Sequence, residues 1–208
     1  MNLLTRSFFG IALITFAGMA QGQSVKPVHT VNGSFTPPLK TDFLQRPESR
    51  NSNGENIIWI QLADNANKGI QETIGNQLSP VDFIDARTFA VRADAAGLRS
   101  LAENEAVVSI FDMPAALKLD RKVAEAEDSE KLEVRISLYG SLTNSEIEEL
   151  IGPIKIISHH VSGDKTYVVI ACDQPSAMKI AAIAQVRAVS GNVSSFTPLN
   201  FYKRSLEA

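Results

Sequence analysis

The stretch FAVRADAAGLRSLAENEAVVSI at residues 89–110 is repeated in pattern, though not in letter, by VVIACDQPSAMKIAAIAQVRAV at residues 168–189. Each copy opens on an apolar run that ends in an acid, continues through a helix-like segment with an apolar residue followed by Ala (Leu101-Ala102, Ile180-Ala181), and closes on a β-branched run. The register is a constant 79 residues, so that Asp94 falls on Asp173, Val107 on Val186 and Ile110 on Val189. Self-similarity at a fixed offset determines the architecture before any local reading does.

Working outward from the two copies, apolar periodicity gives the rest of each unit. In the first, residues 57–62 read as a strand, 65–77 as a helix with Ile70 and Ile74 four apart, 81–85 and 88–93 as a strand pair, 94–104 as a helix and 107–112 as a strand. In the second, the same order runs through 133–139, 143–151, 154–161, 165–171, 174–184 and 186–193. Its boundaries carry specific signals: Thr143 and Glu146 have capping-box spacing, Gly152-Pro153 stops a helix, and Ser162-Gly163-Asp164 is a hairpin turn. The expected fold class is α+β, two tandem ferredoxin-like βαββαβ plaits, each a four-stranded antiparallel sheet with two helices on one face. The expected organisation is a signal peptide at 1–22, a disordered segment at 23–54 rich in Pro, Ser and Asn, a first plait at 55–113, a charged, partly helical and solvent-facing linker at 114–131, a second plait at 132–196 and a tail at 197–208.

The N-terminus bears on compartment. Arg6 precedes an uncharged apolar run to Met19, and small residues at Gly18, Ala20 and Gly22 offer a cleavage site, the layout of a secretory signal peptide. A span of the hydrocarbon core needs roughly 20 continuous apolar residues. The expected location is secreted or periplasmic, with no membrane association once the signal is removed. Without Arg6 the 20 basic residues become 19 against 23 acidic, a balance of −4, which disfavours nucleic acid as a partner. Cys172 is the single cysteine, so packing rather than an internal disulfide must stabilise the fold.

The topology leaves one face of each sheet without helices. On the first strand Ile58, Ile60 and Leu62 alternate with Ile57, Trp59 and Gln61, so both faces begin apolar. In the second unit Tyr139, Tyr167 and Val169 lie on the side away from Ile136, Val168 and Ile170. Units of about 60 residues have marginal cores. Trp59, Tyr139, Tyr167 and Val169 are therefore candidate docking residues, unless the two units, or two copies of the chain in a homodimer, cover these faces themselves.

Chemistry-bearing patterns are sparse. His159 and His160 are adjacent in a strand and point to opposite faces, His29 is distant, and no metal site is expected. Cys172, at a strand end beside Asp173, reads as a small apolar residue whose pKa burial would raise. Glu146, Glu148 and Glu149 read as a solvated helix face. No phosphate loop or nucleophile elbow occurs. No catalytic residue, no cofactor and no enzymatic activity are expected.

A strand ending in an acid (Ala90 to Asp94), a helix with Leu98, Leu101 and Ala102, and the strand Val107 to Ile110 together resemble the propeptide, or inhibitor, domain of subtilisin-like serine proteases, and the tandem arrangement is similar to the N-terminal region of some large secreted bacterial subtilases. The resemblance spans residues 57–198. It implies a non-catalytic inhibitor and folding chaperone whose open sheet face packs on the protease. It also implies that Leu199, Asn200, Phe201 and Tyr202 lie in the substrate cleft, with Leu199 and Tyr202 filling pockets. The chain departs from the family in that no stretch carrying a subtilase triad follows. The implied partner is a subtilisin-like serine protease, met in trans, or in cis if the chain is a gene fragment. The alternative function is an assembly module of the cell envelope that pairs with itself or another exported protein through its sheets.

Overall fold

The structure, a computed structural model, describes residues 24–44, 56–63, 78 and 80–191. The expected signal peptide, the expected helix at 65–77 and the tail with Leu199, Asn200, Phe201 and Tyr202 lie outside the described residues. The chain is mixed α+β, with two four-stranded antiparallel sheets, a two-stranded hairpin and six helices among the described residues.

The hairpin, β1 (Val28–Thr30) and β2 (Gly33–Phe35), is followed by a short helix α1 (Lys40–Leu44). The first sheet comprises β3 (Asn56–Leu62), β4 (Pro80–Phe83), β5 (Thr88–Ala93) and β6 (Val107–Phe111), in the order β4-β5-β3-β6, with α2 (Ala95–Glu103) between β5 and β6. The second comprises β7 (Leu132–Tyr139), β8 (Ile156–Ser162), β9 (Lys165–Cys172) and β10 (Val186–Gly191), in the order β8-β9-β7-β10. Helix α5 (Asn144–Ile151) joins β7 to β8, and α6 (Gln174–Ala181) joins β9 to β10. Equivalent strands hold equivalent places in the two sheets, and every neighbouring pair is antiparallel.

The repeat has a local cause. Asp94 and Asp173 are the N-caps of α2 and α6: Asp94 Oδ1 accepts from the Gly97 amide at 2.7 Å and Asp173 Oδ1 from the Ser176 amide at 2.8 Å. Each acid thus ends a strand and starts a helix by satisfying a first-turn N–H that has no partner within the helix. Thr143 and Glu146 form the expected capping box, and Gly163 makes the β8–β9 turn with φ +60°.

Below the second sheet Val134, Ile136, Leu138, Val168, Ile170, Val186 and Val189 pack on Ile147 and Ile151 of α5 and on Ala177, Ile180 and Ala181 of α6. The first sheet packs Ile58, Ile60, Val91, Val107 and Ile110 against Leu98 and Leu101 of α2, with Phe43 and Leu78 added.

Two expectations need correction. The segment expected to be disordered is, over residues 24–44, part of the fold, because its few apolar side chains meet a surface that the sheet supplies: Val28 is fully buried and Phe43 nearly so. The 114–131 joint is not solvent-facing throughout. It forms α3 (Ala115–Lys118) and α4 (Arg121–Ala124), and Leu119 and Val123 enter the second core, where Leu119 makes a parallel bridge to Val189.

Candidate functional site

The two sheets treat their second faces differently. In β3 the strand period puts Ile57, Trp59 and Gln61 on the side away from α2. Ile57 and Trp59 join Ala90, Phe111, Met113, Val28 and Tyr139 in a third buried cluster, flanked by Phe35, Val81, Ile84 and Leu117. The hairpin thus closes part of this face: Phe35 meets Phe111 edge-on, with ring centroids 5.3 Å apart and planes at 69°. Gln61 anchors it. Its carbonyl Oε1 accepts from the Lys26 amide at 2.7 Å, and its Nε2 donates to the Lys26 carbonyl at 3.0 Å, so that a fully buried amide is paired on both sides.

The second unit contributes Tyr139, from the end of β7, to the same cluster. Trp59 is 7 % exposed and Tyr139 3 %, and the chain itself covers both. These two candidate docking residues are brought together, but as core, because the face they share was filled from within the chain. At the rim, Tyr139 Oη donates to Asp82 Oδ2 at 3.1 Å, and the Arg187 Nε donates to the same oxygen. Asp82 lies on β4 of the first unit and Arg187 on β10 of the second, so this carboxylate clamps the units to each other. Burial alone would raise the Asp82 pKa, but the Arg187 hydrogen bond and charge, with the Phe83 amide, hold it below the ordinary carboxylate value. Burial first, and then the Asp82 charge, push the Tyr139 phenol well above its ordinary pKa.

The other two candidates lie elsewhere. Tyr167 and Val169 of β9 line a cleft of about 380 Å³ on the second sheet, together with Arg135 of β7 and Ser158, His160 and Ser162 of β8. Register explains the grouping: Arg135 and Ser158 flank Val169 on either side, and His160 lies across from Tyr167. Arg135, Ser158, His160 and Ser162 are exposed, Tyr167 is half-buried, and Val169 is buried at the cleft floor. Ser137, opposite Tyr167, has a buried hydroxyl without a hydrogen-bond partner among the described residues. Periodicity had placed Tyr167 and Val169 on this face, and Arg135, His160 and the serines could have been found by extending the same alternation to β7 and β8.

The remaining chemistry-bearing residues fall where their patterns put them. His159 is paired across from Val168 and His160 from Tyr167, so the two imidazoles lie on opposite faces. Among the described residues no group of three or more His, Cys, Asp or Glu is arranged to hold a metal. Cys172 is half-buried against the second core, and burial, then Asp173, push its thiol up to about 11. Glu146, Glu148 and Glu149 are exposed. No described helix is long and apolar enough to cross a membrane. Compared with protein-family models, curated proteins and solved structures, the chain matches none.

Proposed function

We propose that the chain is a pair of tandem ferredoxin-like plaits acting outside the cytosol as a non-catalytic binding protein for a subtilisin-like serine protease, in the manner of the propeptides it resembles. The observation that carries this reading is the asymmetry of the two sheets. The first is packed on both faces by its own chain, whereas the second has helices on one face and an open cleft floored by Val169 and Tyr167 on the other. One unit therefore serves as a scaffold, and the other presents the face. The tail, with Leu199, Asn200, Phe201 and Tyr202, follows the last strand of the presenting unit in sequence, the order that a sheet-docked inhibitor with a cleft-binding tail requires.

The cleft mixes an apolar floor with Arg135, His160 and three hydroxyl-bearing side chains, a composition suited to a partner surface with apolar side chains ringed by acceptors. The test is inhibition of secreted subtilisin-like proteases by the purified chain, alongside Tyr167→Ser and a deletion of residues 198–208. Inhibition is expected, weakened about tenfold or more by Tyr167→Ser and relieved by the deletion, which still binds. Absence of binding to every such protease at micromolar concentration, or full potency of both variants, would discard the reading.

A further inference from the structure

The four edges of the two large sheets are not equally protected. An open strand edge presents unpaired N–H and C=O groups that recruit other strands unless they are shortened, bulged, charged or covered. On the first sheet β4 is four residues long, contains Pro80 and Asp82 and is bulged between them, while β6 is covered by the 38–44 segment, with Ser109 Oγ donating to the Pro38 carbonyl. On the second sheet β10 is covered by the 119–120 segment: Leu119 bridges Val189, the Asp120 amide donates to the Val189 carbonyl at 2.9 Å, and Asp120 Oδ2 accepts from the Gly191 amide at 2.7 Å.

Strand β8 is the exception. It has seven residues, β9 is its one strand neighbour among the described residues, and its sequence IISHHVS contains no Lys, Arg, Asp, Glu or Pro. Its register shifts between Ile156 and Ser158, so Ile157 sits at the bulge, and the ladder to β9 is regular from Ser158 to Ser162. Five large apolar side chains are exposed among the described residues, and two of them, Ile157 at 48 % and Val161 at 37 %, lie on this strand. They are placed symmetrically, two residues either side of His159.

We infer that β8 is a self-pairing edge, and that its occupant is the β8 strand of a second copy of this chain, running antiparallel about a two-fold axis at His159. That register sets Ile157 of each copy against Val161 of the other and Ser158 against His160, burying the two exposed apolar residues in one step. A strand without Lys, Arg, Asp or Glu sets no ammonium or carboxylate against its own copy, which is why a copy fits here. The axis stands perpendicular to the joined sheet, so the two clefts, each walled by Ser158, His160 and Ser162, come to lie side by side on one eight-stranded surface. A single strand pair falls short of the roughly 1,200 Å² of a stable interface, so the pairing is weak and reversible. This inference does not depend on the protease reading.

The experiment is sedimentation of the purified chain from about 1 µM to about 1 mM, with variants Ile157→Lys and Val161→Glu alone and mixed. Both positions are solvent-facing, and thermal melts confirm that the variants fold. The unaltered chain is expected to dimerise reversibly. Each variant alone should associate at least about tenfold more weakly, and the mixture should recover association, because the ammonium introduced in one chain then meets the carboxylate introduced in the other. Phe83→Lys, at the exposed apolar residue on the β4 edge, should leave association unchanged. A monomer throughout the range, unweakened association of the single variants, or a mixture that stays monomeric would overturn the inference.

Discussion

Replacing Tyr139 by Phe keeps the ring in its cluster and removes one hydroxyl, so its cost isolates the bond across the two units. The lost interaction is a phenol donating to a carboxylate at 3.1 Å, with Tyr139 3 % exposed. A hydrogen bond to a charged group contributes about 1.5–3 kcal/mol. Asp82 keeps the Arg187 guanidinium and the Phe83 amide, so the lower end of that range applies, about 1.5 kcal/mol. Arg187→Met should cost less, about 1 kcal/mol, because the Arg187 side chain is 40 % exposed and water screens its charge. In urea, Tyr139→Phe should lower the unfolding midpoint by roughly 0.5–1.5 M at unchanged slope. Tyr139→Phe combined with Asp82→Asn should show a coupling of about 1 kcal/mol. Acid sharpens the comparison. A carboxyl whose folded pKa is depressed stabilises the fold above the unfolded value near 3.8, and that contribution is lost as pH falls through the depressed value. Asp82→Asn should therefore lose less stability on acidification below about pH 4 than the unaltered chain does. Additive single effects, or a neutral Tyr139→Phe, would show that the carboxylate does not bind the units together.

Further tests follow from the caps and from one buried amine. Asp94→Ala and Asp173→Ala should each lower stability by about 1 kcal/mol, and by similar amounts, in thermal or urea unfolding, since each removes one cap bond at the same place in the repeat. Lys118 is 5 % exposed and donates to the Ile183 carbonyl at 2.8 Å, and burial, partly offset by Asp112, pushes its ammonium down to about 8. Between about pH 8 and 9 the folded chain loses this proton while the unfolded chain keeps it, so stability should rise by about 1 kcal/mol over that unit. Lys118→Met should flatten that rise in melting curves; an equal rise in the variant would assign it to another group.

Legibility in the sequence tracked how local the cause was. The cap at Thr143 and the turn at Gly163 act within a few residues, so their motifs identify them without knowledge of the rest of the fold, whereas Asp94 and Asp173, read as acids that end strands, are the caps of the helices that follow. Alternation correctly divided the faces of β3 and β9 and placed Tyr167 and Val169 together. It could not say what lies opposite a face, so it left open whether Trp59 and Tyr139 meet a partner or are covered by the chain itself, and they are buried together in one cluster of the chain. The three-residue strands of the hairpin are too short to show a period, and Val28 and Phe35 are held by residues far along the chain. Leu119 and Val123 carry no shared period, because Leu119 is extended between two four-residue helices and bridges Val189 while Val123 lies in the second of them, so their burial follows from the second core and not from a local pattern.

The chain closes its first sheet from within and leaves the second open. Trp59, the one tryptophan, reports on this difference directly through iodide quenching of its fluorescence, compared with a tryptophan placed at Tyr167 in a Trp59→Phe background. Trp59 should emit at short wavelength and resist quenching, while the tryptophan at position 167 should be quenched readily. A Trp59 as quenchable as free tryptophan, or a shielded residue at 167 in the isolated chain, would contradict the account.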